Sequence, residues 1–74
     1  MEIKKFDVKK LGANLKALRN ECGIGQNELA DVLNLSNASI SYWENGLQEP
    51  SASALFKLAQ YFKVSIDYLV GLED

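Results

Sequence analysis

Residues 27–46, NELADVLNLSNASISYWENG, decide how the rest of the chain can fold, because they predict two short helices that meet at a corner. Leu29 and Leu33 lie one turn apart in the first helix, and Ile40 and Trp43 share one side of the second. Each helix therefore has a single apolar side to bury. The rest of the chain is expected to pack against those two sides.

The corner between the two helices is Asn34-Leu35-Ser36. Asparagine tolerates the left-handed conformation that follows a helix end, Leu35 can be buried in the angle, and Ser36 is a favourable N-cap for the next helix. Two helices joined by so short a turn must cross at a steep angle. The stretch therefore predicts a helix-turn-helix.

The second helix of this pair exposes a polar, uncharged face. At about 100° per residue, its outward positions fall within an arc of about 140°, opposite Ile40 and Trp43. These positions are Asn37, Ala38, Ser41, Tyr42 and Asn45. Such a face suits the DNA major groove, where amides and hydroxyls pair with base edges and a methyl group can contact thymine. On spacing alone, the solvated surface of a small bundle fits equally well.

The same stretch resembles the helix-turn-helix of phage-repressor and Cro-like regulators, the Xre-type family. The matching positions are Gln26, Leu29, Ala30, Leu33, Leu35, Ser36, Ile40, Ser41, Trp43, Glu44, Asn45 and Gly46. Further matches extend the resemblance over about residues 11–70. The resemblance implies an all-α, five-helix domain of the lambda-repressor-like type, with a helix-turn-helix of helices 2 and 3 at about residues 26–45. Residues 1–10 would be a basic lead and the start of helix 1, and residues 71–74 a short tail.

Capping residues and glycines predict where the other helices begin and end. Helix 1 is expected from Asp7 to about Cys22, helix 4 from Ser51 or Ser53 to Phe62, and helix 5 from Ile66 to Val70, with Gly23 and Gly71 as stops.

The resemblance also implies which side chains contact DNA. Gln26 at the start of helix 2 and Asn45 at the end of helix 3 match positions that contact phosphate in the family, although Gln26 could also be a solvated first-turn amide. Residues of helix 3 would reach base edges or nearby phosphates. The candidate DNA-binding residues are Gln26, Ser36, Asn37, Ala38, Ser41, Tyr42 and Asn45.

Arg19 has two possible roles. It could bind a phosphate, but the resemblance implies an ion pair with Glu44 that ties helix 1 to the end of helix 3. We favour this structural role for both residues.

A net charge of −2 is unusual for a DNA-binding protein, and the charge is unevenly distributed. Residues 1–19 contain six basic and two acidic residues, which gives +4, whereas residues 20–74 contain two basic and eight acidic residues, which gives −6. Residues 26–46 contain no Lys or Arg. Members of the family commonly have basic residues in the loop that follows, where this chain has Leu47, Gln48 and Glu49. One phosphate contact implied by the resemblance is therefore missing.

Composition excludes several classes of function. The chain has no histidine and one cysteine, so the usual zinc sites and histidine-assisted nucleophiles are absent. We expect no catalytic residue, no metal and no cofactor, and no small-molecule ligand is evident. Cys22 continues the apolar spacing Val8, Leu11, Leu15, Leu18, so we expect a buried side chain at the end of helix 1. No apolar run is long enough for a membrane span or a signal segment, and we expect a cytoplasmic protein.

Three functions fit the sequence, in this order. The first is a transcriptional regulator, most simply a repressor, that binds a palindromic operator in double-stranded DNA as a homodimer with helix 3 in the major groove. The second is a protein-interaction module that keeps the fold without binding DNA, and the third is the antitoxin or controller subunit of a paired system. Tyr68 and Leu72 are candidates for the dimer surface by resemblance, or they cover the core.

Overall fold

The computed structural model describes residues 2–73, and these residues form five α-helices and no strand. The helices are α1 (Val8–Glu21), α2 (Gln26–Leu33), α3 (Asn37–Glu44), α4 (Ala52–Phe62) and α5 (Ile66–Val70). The all-α, five-helix class expected from the sequence is confirmed. None of these helices has the length and hydropathy needed to cross a membrane.

Side chains cap the N-termini of four helices. In each case an oxygen of the capping residue accepts a backbone N–H of the first turn, at Asp7, Ser36, Ser51 and Ser65. The corner between α2 and α3 has the expected geometry, because Asn34 is left-handed with φ 56°. Helix boundaries therefore follow from local chemistry along most of the chain.

The core lies where the apolar sides of all five helices meet. Its buried members are Leu11, Leu15, Leu29, Ala30, Ile40, Trp43, Ala54, Leu58 and Leu69. Leu35, at the corner of the helix-turn-helix, is partly buried and packs against this cluster. Burial of the corner residue fixes α2 and α3 to the rest of the bundle.

α1 lies close against the end of α3 at Gly12. A Cβ atom at this position would lie 2.4 Å from the carbonyl oxygen of Trp43 and 2.7 Å from that of Glu44. Both distances are shorter than van der Waals contact, so only glycine allows the backbone of α1 to lie against the end of α3. The same side of α1 carries Arg19, about two turns further along.

The prediction that Cys22 is buried is wrong. Cys22 is the C-cap residue that follows Glu21, and its side chain is exposed. The chain reverses at Gly23, whose φ is 67°, and Ile24 returns to pack against the core. Its backbone N–H donates to the carbonyl oxygen of Arg19 at 3.2 Å. Ile24 therefore covers this end of the core. Cys22, which continues the apolar spacing of α1, lies beyond the core.

Candidate nucleic-acid interface

The outer face of α3 presents the polar positions expected from the sequence. They are Asn37, Ala38, Ser41, Tyr42 and Asn45, of which Ser41 is half-buried and the others are exposed. The opposite side of α3 carries Ile40 and Trp43, which belong to the core. Burial of that side directs the polar side towards solvent.

Two of the candidate residues already use polar groups to hold α3 together. The hydroxyl of Ser36 caps the helix by accepting a first-turn backbone N–H at 3.1 Å. The side-chain amide of Asn45 donates to the carbonyl oxygen of Ser41 at 2.9 Å. The side chains of Asn37 and Tyr42 make no hydrogen bond within residues 2–73, so their polar groups are open to a ligand.

The start of α2 differs from that of the other helices because no side chain caps it. Its N-cap residue is Gly25, and Gln26 is its first helical residue. The first-turn N–H groups therefore lack the side-chain partner that each of the other helices has. A shallow hollow here is lined by Arg19, Gly25, Gln26, Asn27 and Glu28. An uncapped helix N-terminus favours an anion such as phosphate.

Arg19, Gln26 and Glu44 form a hydrogen-bonded network between the start of α2 and the end of α3. Arg19 Nε donates to Glu44 Oε2 at 2.6 Å, and Arg19 Nη2 donates to Glu44 Oε1 at 3.1 Å. Gln26 Nε2 donates to the same Oε1 at 3.0 Å, and Arg19 Nη1 donates to the carbonyl oxygen of Ile24 at 3.0 Å. Arg19 and Glu44 thus form a bidentate ion pair, which together with Gln26 joins three helices.

The ion pair is largely removed from solvent. The side chain of Glu44 is 2% exposed and that of Arg19 is 13% exposed. The hydrogen bond to Glu44 is the main cause of a raised pKa of Arg19, against the opposing effect of burial. Arg19 therefore stays charged and compensates Glu44. The acidic residues left uncompensated between positions 26 and 46 are Glu28 and Asp31, and both are exposed.

The hydrogen bond to Glu44 uses only part of the donor capacity of the Gln26 side chain. A side-chain amide has two N–H donors, and Glu44 accepts one of them. The second N–H is therefore available to an anion at the start of α2. Contact between Gln26 and a phosphate remains a prediction, and the geometry of the amide is compatible with it.

Lys9 is a residue that the sequence did not single out, and it lies beside the end of α3. A Cβ atom on Gly46 would lie 2.8 Å from Cγ of Lys9 and 3.4 Å from its Cα. Lys9 is exposed, and it is not part of an ion pair within residues 2–73. The sequence contains one signal for this position of Lys9. Its helical spacing from Gly12 and Arg19 places all three residues on one side of α1.

Comparison with known proteins places the chain in a family. Residues 15–69 match the helix-turn-helix family HTH_3. The HTH-type transcriptional regulator ImmR of Bacillus subtilis (strain 168) is 38% identical over 64 residues, which cover 86% of this chain and 50% of ImmR. The chain thus spans half the length of that relative.

Solved structures share the fold. The P22 c2 repressor, crystallised with a synthetic operator, has a TM-score of 0.80 and 32% identity over 85% of this chain and 96% of the other. The restriction-modification controller protein C.AhdI of Aeromonas hydrophila has a TM-score of 0.78 and 28% identity, over 85% of this chain and 96% of the other. The chain belongs to the helix-turn-helix family of phage-repressor-like transcriptional regulators.

Proposed function

We propose that this chain is a sequence-specific DNA-binding transcriptional regulator, most simply a repressor, that lays α3 in the major groove. The observation that carries the proposal is the outer face of α3, where Asn37 and Tyr42 have open polar groups and Ala38 is exposed between them. Short polar groups on an exposed helix can reach base edges, and a methyl group can contact thymine. Repression then requires only that the operator be occupied.

Phosphate contacts at both ends of the helix-turn-helix would position α3 on the DNA. Gln26 lies at the uncapped start of α2, with one N–H of its amide open. Asn45 follows α3, and its exposed side-chain amide donates to the carbonyl oxygen of Ser41 at 2.9 Å and to the Ser41 hydroxyl at 3.4 Å, the weaker of which a phosphate would replace. Ser36 contributes by capping the first turn of α3 and so holding the N-terminus of that helix in place. Such contacts orient a protein on the duplex, while α3 supplies sequence preference.

We infer that two copies bind a palindromic operator. One domain has few base contacts and few cations near α3, so it should bind weakly alone. Two domains that contact half-sites about 34 Å apart double the contacts. Tyr68 is half-buried and Leu72 is exposed, so a second copy could pack against either. Sedimentation should show a dimer on the duplex, and a monomer both at high concentration and on DNA would contradict this arrangement. The regulator would act in the cytoplasm, as the sequence leads us to expect.

Selection of binding sites from a random duplex pool at low salt tests the DNA-binding proposal. The wild-type chain should enrich a palindromic motif. Asn37→Ala should change the preference at particular base pairs, and Ala38→Glu should abolish enrichment because a carboxylate would face the duplex. Ala17→Glu is the matched control, since it adds the same charge at an exposed position of α1 away from α3. A wild-type chain that enriches no motif contradicts the proposal.

A protein-interaction module with the same fold is the second candidate. The lack of Lys and Arg in residues 26–46 and the exposed Glu49 in the following loop favour it, because both weaken attraction to a phosphate backbone. The similarity to the controller protein C.AhdI supports a third candidate, a controller or antitoxin-type subunit that shares DNA binding with a partner. Enrichment of a motif by the chain alone rejects the second candidate.

A further inference from the structure

We propose that Lys9 in α1 binds a DNA phosphate beside the end of α3, in place of the basic loop residues that the chain lacks. The inference rests on the proposed DNA-binding function and adds to it a contact from another helix. The loop after Gly46 begins with Leu47, Gln48 and Glu49, so it offers no cation at that point. Positive charge next to Asn45 must therefore come from elsewhere in the fold.

The contact between Lys9 and Gly46 supplies this charge. Cγ of Lys9 lies 2.8 Å from the position that a Cβ on Gly46 would occupy, so the lysine stem packs directly on the glycine backbone. Gly46 directly follows Asn45, the proposed phosphate contact at the end of α3. A lysine whose stem is packed in this way can still extend its ammonium group into solvent.

The position of Lys9 relative to α3 is fixed by the rest of α1. The carboxylate of Asp7 accepts the backbone N–H of Lys9 at 2.9 Å, which starts the helix at this point. About one turn further along, Gly12 lies against the carbonyl oxygens at the end of α3. Arg19 then bonds Glu44 from the same side of α1. The contact of Lys9 with Gly46 is thus the first of three along one face of α1. The contacts of Gly12 and Arg19 with the end of α3 fix the position of Lys9 beside Gly46.

Three other cations, Arg19, Lys57 and Lys10, contact other parts of the fold. Arg19 is paired with Glu44, and Lys57 Nζ donates to the carbonyl oxygen of Leu33 at 3.1 Å. Lys10 is next to Lys9 in sequence, but a Cβ on Gly71 would lie 2.8 Å from its Cδ, so its side chain packs at the end of α5. Neighbouring helix positions differ by about 100°, which explains why the two lysines reach different elements.

The test compares Lys9→Gln with Lys10→Gln on the duplex that the wild-type chain enriches. Each neutralised phosphate contributes about 0.9 to the slope of log affinity against log salt, so Lys9→Gln should reduce the slope of a dimer by about 1.8. At about 0.1 M salt the affinity should fall roughly tenfold per domain. Lys9→Arg should keep the wild-type slope, and Lys10→Gln should also keep it. Melting temperatures of the variants, measured in parallel, should match that of the wild type because both lysines are exposed.

The possible outcomes separate this contact from DNA binding itself. A Lys9→Gln slope equal to that of the wild type overturns the contact and leaves DNA binding intact. Equal losses for Lys9→Gln and Lys10→Gln also overturn it, because they would reflect the general positive charge of the amino-terminal region rather than position. A wild-type chain that binds no duplex at low salt overturns both proposals.

Discussion

Gly12 of α1 lies against the main-chain carbonyl oxygen of Trp43 in α3, with 2.4 Å between that oxygen and the position of a Cβ on the glycine. Trp43 is a core residue on the inner side of the helix that carries the candidate DNA-binding face. The contact between the two backbones therefore sets how far α3 stands from α1. It also brings Lys9 and Arg19, on the same side of α1, to the end of α3.

Gly12→Ala should destabilise the protein, although glycine to alanine in a helix is ordinarily stabilising by about 1 kcal/mol. The added methyl group would meet two backbone carbonyl oxygens that cannot rotate away, and overpacking of this kind costs about 1–3 kcal/mol. Urea unfolding measures the change. Ala13→Gly, at the neighbouring exposed position, calibrates the effect of helix propensity alone. A Gly12→Ala protein as stable as the wild type would show that α1 and α3 are further apart.

Glu44→Ala should lower the melting temperature sharply. Arg19 would then be left largely buried without its carboxylate, and Gln26 would lose its acceptor. Breaking a buried pair in this way costs about 3–5 kcal/mol, which corresponds to a drop of more than about 10 °C in a domain of this size. Asp31→Ala removes an exposed carboxylate from α2 and should change the unfolding free energy by less than about 0.5 kcal/mol. Similar melting temperatures for the two variants would mean that the pair contributes little.

Cys22 should react with a thiol reagent in the folded protein about as fast as in the unfolded chain, because its side chain is exposed at the end of α1. Cys22→Ser should change stability by less than about 0.5 kcal/mol for the same reason. Reaction kinetics with and without denaturant measure the first effect. Strong protection of the thiol in the folded state would instead support the burial of Cys22 that helical spacing predicts.

The affinity for the selected duplex should depend only weakly on salt. Lys9 is the one lysine placed on a phosphate in our proposal, and the remaining contacts use neutral amides and backbone N–H groups, which release few counterions. The slope for a dimer should therefore be well below that of proteins that make about 6–10 phosphate contacts. Titrations across a range of salt concentrations measure it. A steep slope would show that Lys4 and Lys5 in the amino-terminal segment also reach the DNA.

The helix-turn-helix could be predicted because its signals are local. Asn34 and Ser36 determine the backbone at the corner through their own conformational and hydrogen-bonding preferences. Cys22 was misassigned because burial at a helix end depends on where neighbouring segments lie, and Ile24 covers that position instead. The place of Lys9 was missed because it depends on which side of α1 meets α3. That choice is made by the close contact at Gly12, which hydrophobic periodicity does not reveal.

The most direct test of the central claim is to follow the backbone amide NMR signals of the protein while the selected duplex is added. We predict that the largest shifts occur at the start of α2 and on the outer face of α3, at Gln26, Asn37, Ala38, Ser41 and Tyr42. Lys9 should shift more than Lys10. Shifts confined to the surface around Lys10 and Leu72, or no shifts at low salt, would contradict the claim that α3 is the DNA-binding helix.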